Sequence, residues 1–220
     1  MNRADLYCVW GNTLSPCFLF GDPKQLPPTV LTPHDKDAAE NYVNRFVKSG
    51  DLPALLVLQA SGIPTYRLTT QLRMGCGLFD MVSGIIYKGV PHVYAASLSD
   101  GLSCPEGKLL PVFIHAPGSR VHTDDAIGSN RCADQVTTAL DFMVDLVKSK
   151  NIDPSKIGII SPYAANVELL DRMLRKKVAY EALEGIPPAS TVDSFQGQEN
   201  DIIFVVMGTA YPRPRPGFTS

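Results

Sequence analysis

Asp22 and Gln25 stand three residues apart in the segment GDPKQLPPT (21–29), directly after an apolar run. A carboxylate at a strand end organises a metal-bound water or a neighbouring side chain. A glutamine amide both donates and accepts hydrogen bonds, so it touches a phosphate and a water together. Pro27 and Pro28 then fix the direction in which the chain leaves. An ordinary turn accounts for the same letters, since glycine, aspartate and proline are common turn residues. Arg73 follows in TTQLRMG (69–75). Its rigid guanidinium fork suits the charge on a transferring phosphoryl group, with a plain surface charge as the alternative.

Two later loops carry similar options. In GIISPYAANVELL (158–170), Ser161 and the backbone ahead of a helix suit a phosphate at a helix N-terminus, with Tyr163 stacking or packing. A capped helix start explains the same residues. In ASTVDSFQGQENDIIFVV (189–206), a polar turn centred on Gly197 joins two apolar stretches. Glycine permits close backbone approach to a ligand, and Glu199 either bonds a sugar hydroxyl or an arginine, or caps a local turn.

The elements that position these loops read as alternating strands and helices. Strands are expected at 17–20, 64–70, 111–115, 157–160, 189–192 and 202–207. Helical periodicity covers 35–61 with a break at 50–53, and 77–87 up to Gly89. A long helix capped by Asn130 closes near Asn151, with Val136, Leu140, Met143 and Val147 on one stripe. A further helix over 164–178 turns Val167, Leu170, Leu174 and Val178 inward, and 90–108 reads as a loop. Apolar strands with helices between them predict the α/β class, a parallel sheet flanked by helices on both faces. Function in such sheets sits at the carboxyl ends of strands, where the four loops fall.

Composition sets the limits. The chain has 220 residues, 45% of them hydrophobic, enough for a sizeable core. With 20 basic and 22 acidic side chains there is no general pull on nucleic acid or acidic lipid, so a nucleic-acid partner needs a local groove. Five scattered cysteines without CxxC pairs predict free thiols in a reducing compartment, and neither they nor the four histidines show ligand spacing, so no metal site is assigned. No signal-like start or membrane-length apolar run is present, which predicts an intracellular protein of nucleus or cytoplasm with no membrane partner.

Together the four segments resemble superfamily 1 helicases of the branch that contains the nonsense-mediated-decay helicase. GDPKQLPPT resembles that family's third motif, QLRM its QYRM motif, IISPY its TPY segment, and VDSFQGQENDII its VDxFQGxExDxI motif, in the family's order. The resemblance implies RecA-like (P-loop NTPase) architecture, ATP with Mg between two such domains, and single-stranded RNA or DNA crossing both. It implies that Gln25 senses the γ-phosphate, Asp22 supports the metal and water network, and Arg73 is an arginine finger. Gly21, Gln71, Gly197 and Glu199 would lie on the nucleotide side. Pro27, Pro28, Ser161, Pro162, Tyr163, Thr191 and Asp193 would lie towards the nucleic acid. Leu72 replaces the family's tyrosine and removes an aromatic face there.

The resemblance also predicts what is missing. The nearest approach to a phosphate-binding loop, GLSCPEGKL (101–109), has the wrong glycine spacing and puts Leu109 where a hydroxyl is needed. The family's Asp-Glu pair would fall at or before Met1, and its sixth motif beyond Ser220. The expectation is therefore a fragment: residues 1–62 as the remnant of a first RecA-like domain with its connector, and 63–220 as an incomplete second. Alone it should not turn over ATP. The rival expectation is a non-catalytic nucleic-acid-binding or interaction module derived from a helicase.

Overall fold

The computed structural model describes residues 6, 8, 18–28, 30, 32–94, 111–124, 128–176 and 178–210. The chain divides into two units, Met1–Val112 and Phe113–Ser220. This is a division by packing, whereas the 62/63 division rests on motifs.

In the second unit the core forms around β5 (Ile157–Ser161), in which Ile157 and Ile159 are buried. It pairs in parallel with β6 (Ser190–Thr191) on one side and β7 (Ile202–Val205) on the other, giving the order β6-β5-β7. A central strand with buried residues along its length is what a covered parallel sheet requires. Helix α4 (Ala133–Lys150) contributes the stripe Val136, Leu140 and Met143, and α5 (Ala164–Lys176) contributes Leu169 and Leu170. A 3₁₀ segment, Val178–Leu183, closes the core with Tyr180 and Leu183, and the Tyr180 hydroxyl donates to Asp141 of α4 at 3.3 Å. Burial raises the Tyr180 pKa, and the Asp141 charge and hydrogen bond add to it. Gly158 is needed for close approach: a Cβ there would lie 2.9 Å from Ile203 Cδ1 and 3.1 Å from Asn200 Oδ1. Asn151 takes the left-handed conformation that ends α4, where the helical periodicity also stops.

The first unit has shorter elements: α1 (Val47–Gly50), α2 (Ala54–Ala60), β1 (Thr70–Gln71), α3 (Leu78–Ile85) and β2 (Val93–Tyr94). β1 and β2 pair in parallel, Thr70 opposite Val93 and Gln71 opposite Tyr94. Gly77 opens α3 with a φ of 94° and Gly89 lies beyond its end with a φ of 70°. Glycine adopts this region more readily than residues that carry a Cβ.

Several expectations are corrected. Residues 18–20 and 111–115 form no strand, and Phe18, Phe20 and Phe113 are exposed, because no described segment supplies them with ladder partners. The segment 35–46 is a series of turns with a Lys36–Tyr42 bridge, so Tyr42, Val43 and Phe46 stay exposed instead of lining a helix. The stretch 64–70 is strand only at its end, while 93–94, read as loop, pairs with it. Asn130 does not cap α4: it pairs in a short antiparallel ladder, β3 (His122–Thr123) with β4 (Asn130–Arg131), and its Oδ1 accepts from Thr123. Cys132 holds the cap position. Val178 is 87% exposed because the switch to 3₁₀ geometry at the end of α5 shifts the side-chain phase. Ile203 and Val205 are exposed, so one face of β7 is uncovered. Cys76 is disulfide-bonded, contrary to the free-thiol expectation, whereas Cys8 and Cys132 are free. The segment 101–109, the nearest approach to a phosphate-binding loop, lies outside the described residues.

Candidate functional site

In the first unit Asp22 organises the loop that carries Gln25. Its Oδ1 accepts from the Lys24 N–H at 2.9 Å, its backbone carbonyl accepts from the Gln25 N–H at 3.2 Å, and the Gln25 amide lies 3.5 Å from Oδ2. This is the turn geometry available to an aspartate bonding its own backbone two residues on. Gln25 itself is exposed, as is Pro27, with Pro28 half-buried. Gly21 sits against α2, where an added Cβ would come within 2.6 Å of Leu55 Cδ1. The Tyr87 hydroxyl also donates to Asp22 Oδ2. No sequence motif pointed to Tyr87, which lies 65 residues away.

Gln71 shapes the second loop. Its Oε1 accepts from the backbone N–H groups of Arg73 at 2.7 Å and Met74 at 3.1 Å, which folds the chain into a turn that leaves Arg73 exposed. Leu72 is 80% exposed, where the resembling family has an aromatic ring. Immediately after this turn, α3 packs its first residues against β2. The Tyr94 hydroxyl accepts from the Phe79 N–H at 3.1 Å and donates to Asp80 at 2.9 Å. Phe79 lies edge-on to His92 at 4.8 Å and tilted to Tyr87 at 5.7 Å between ring centroids.

The Tyr87 pKa is pushed up to about 12, first by burial and then by the hydrogen bond and charge of Asp22. A raised pKa in the folded state means that ionisation opposes folding. The contribution is complete below the ordinary phenol value near 10 and is lost as pH rises towards 12. In a titration of phenolate absorbance, Tyr87→Phe is therefore expected to remove a late-titrating tyrosine, one with its midpoint near 12.

In the second unit, Ser161 and Thr191 are register partners at the carboxyl ends of β5 and β6. Pro162 and Tyr163 follow the first, and Asp193 lies in the turn after the second, so the structure gathers these five residues at one end of the sheet. Thr191 and Ser194 cap one another: the Ser194 N–H donates to Thr191 Oγ1 at 3.2 Å and the Thr191 N–H to Ser194 Oγ at 2.9 Å. Ser161 differs from the other four in exposure. It is fully buried, and its hydroxyl oxygen accepts from the Asn166 amide at 3.0 Å, so its side chain holds the sheet end together and does not reach the surface. The Ala165 N–H in the first turn of α5 is taken by Ser129 Oγ at 3.1 Å. Gly197 has a φ of 83° with open space around its Cβ position, so its need is conformational, and Glu199 is exposed beside it.

Asn166, which no motif indicated, joins three separate segments at this end. Fully buried, it accepts from the Cys132 N–H at 3.1 Å and donates to Ser161 and to the Val206 carbonyl at 3.3 Å. Gln135 completes the arrangement by accepting from the Gly208 N–H and donating to the Thr209 carbonyl. An asparagine on the inner side of an amphipathic helix was the available signal.

A family model described as an AAA domain matches residues 54–220. The chain belongs to this family. The chain is also similar to helicase sen1 of Schizosaccharomyces pombe, with 28% identity over 213 residues covering 92% of the chain and 12% of that protein. It is 26% identical to DNA polymerase alpha-associated DNA helicase A of Saccharomyces cerevisiae, over 91% of the chain and 30% of the relative. With the probable helicase senataxin of Mus musculus it shares 29% identity, over 85% of the chain and 7% of the relative. The chain thus spans less than a third of the length of these relatives. The resemblance to superfamily 1 helicases and the α/β class are borne out.

Among the described residues there is no group of three or more carboxylates, histidines or cysteines to hold a metal. No helix among them is long and apolar enough to cross a membrane. The Arg73 guanidinium and Gln25 amide are donors suited to a phosphate.

Proposed function

We propose that the chain is part of an ATP-dependent nucleic-acid helicase or translocase, to which it contributes Gln25, Arg73 and a strand-binding sheet end. The observation that carries this reading is the similarity to helicase sen1 over 92% of the chain. An alignment that omits so little takes in all four loops. The comparable share for senataxin supports it.

ATP supplies the phosphoanhydride bond whose hydrolysis drives the work. In this reading the Arg73 guanidinium places its two-pronged charge on the phosphoryl oxygens, and the Gln25 amide orients the attacking water against them. Asp22 holds Gln25 in place, Gln71 sets the Arg73 turn, and Gly21 seats the first loop on α2. Gly197 and Glu199 form the nucleotide-side turn of the second unit. In the first unit Pro27 and Pro28, and in the second Pro162, Tyr163, Thr191 and Asp193, are the residues assigned to single-stranded RNA or DNA, with Ser161 holding the end of the sheet that carries Pro162 and Tyr163. The described residues offer Mg no clustered ligands, so no step is assigned to the metal here.

The test is ATP hydrolysis by the complete protein with and without single-stranded RNA or DNA. The helicase reading expects strand-stimulated hydrolysis. Strand binding without hydrolysis would instead establish the non-catalytic module, and neither activity would refute both.

A further inference from the structure

We propose that Tyr87 is a positioning residue that fastens the Gln25 loop to the element carrying Arg73, so that the two phosphate-facing groups are set together. This rests on the reading of Gln25 and Arg73 as nucleotide-facing. No motif assigns Tyr87 a part.

The link can be followed atom by atom within the first unit. Tyr87 lies just past α3, where the Ile86 N–H still bonds the Val82 carbonyl and Gly89 turns the chain back onto the Ser83 carbonyl. From there its hydroxyl donates to Asp22 Oδ2, the carboxylate oxygen nearest the Gln25 amide. The other carboxylate oxygen holds the Lys24 N–H, so the orientation of this one side chain sets the loop. On its far side the Tyr87 ring rests on Phe79, in the first turn of α3, whose N–H is held by Tyr94. Tyr94 is the register partner of Gln71, and Gln71 accepts the Arg73 N–H. The path from Gln25 to Arg73 therefore runs Asp22, Tyr87, Phe79, Tyr94, Gln71, with a hydrogen bond, ring contact or strand pairing at each step. A plain turn needs only the Lys24 and Gln25 contacts. The Tyr87 bond, from far along the chain, is the part that an isolated turn does not explain.

Tyr87→Phe keeps the ring on Phe79 and removes only the hydroxyl, so the fold is retained while Asp22 is released. In the complete protein, kcat for strand-stimulated ATP hydrolysis is expected to fall about tenfold, with KM for ATP and strand affinity unchanged. Amide exchange at Lys24 should accelerate about tenfold in the same variant. A merely structural role would lower the melting temperature without this split between kcat and KM. Gln25→Ala serves as the control. If it reduces hydrolysis while Tyr87→Phe leaves both kcat and Lys24 exchange at wild-type values, the positioning role is overturned. If Tyr87→Phe accelerates Lys24 exchange but Gln25→Ala leaves hydrolysis unaffected, or there is no hydrolysis, the link stands and the nucleotide role of Gln25 is overturned.

Discussion

Arg73→Ala is expected to slow strand-stimulated ATP hydrolysis by the complete protein about a thousandfold, the scale on which an arginine finger acts. Its effect should fall on kcat, because the guanidinium meets charge that develops in the transition state and contributes less to ground-state binding. The backbone has already made the turn: Gln71 Oε1 holds the N–H groups of Arg73 and Met74, and the substitution keeps both of those bonds. Arg73→Lys tests the fork separately. It keeps a positive charge but loses paired donation, and its rate should fall between wild type and alanine. A kcat for Arg73→Ala within a few fold of wild type would remove this residue from the chemistry.

The second large effect concerns stability. Asn166→Leu preserves side-chain bulk but deprives the Cys132 N–H, the Ser161 hydroxyl and the Val206 carbonyl of a partner they share in a fully buried position. Ser161 Oγ keeps the Tyr163 N–H at 3.5 Å, and each of the two other buried groups left unsatisfied costs about 1–3 kcal/mol, so a loss of about 2–6 kcal/mol is expected in urea unfolding of the second unit. Domains are stable by only about 5–15 kcal/mol, which makes this a large share. Val178→Ser, at a site 87% exposed, provides the contrast and should change stability by less than about 0.5 kcal/mol. Equal effects from the two substitutions would show that the network at the sheet end does not hold it.

The sequence was most legible where local pattern and tertiary packing agree. Ile157 and Ile159 are apolar, short-range and buried, and the Val136, Leu140, Met143 stripe follows the helical repeat, so the strand and helix were readable directly. Where partners are remote, pattern failed. Phe18 and Phe20 look like strand residues, yet a strand exists only when another segment pairs with it. Asn130 has the chemistry of a cap but is used in a two-residue ladder instead. The site divides in the same way. Asp22 with Gln25, and Gln71 with Arg73, are local and were legible as loops. Tyr87 and Asn166 act across 65 residues, and 34 to 40 residues, of chain respectively, and no spacing rule finds such contacts. Ser161 was found by its motif but its burial was not legible, because a hydroxyl at a strand end gives no sign of which neighbour covers it.

The central claim is that Gln25 and Arg73 act on one phosphoryl group, and a double-mutant cycle on kcat tests it most directly. Gln25→Ala, Arg73→Ala and the combined variant would be compared in strand-stimulated ATP hydrolysis by the complete protein. Groups that serve the same transition state are strongly non-additive, so the double variant should be little slower than the slower single one. Effects that multiply independently, or a single variant that retains the wild-type rate, would contradict a shared site.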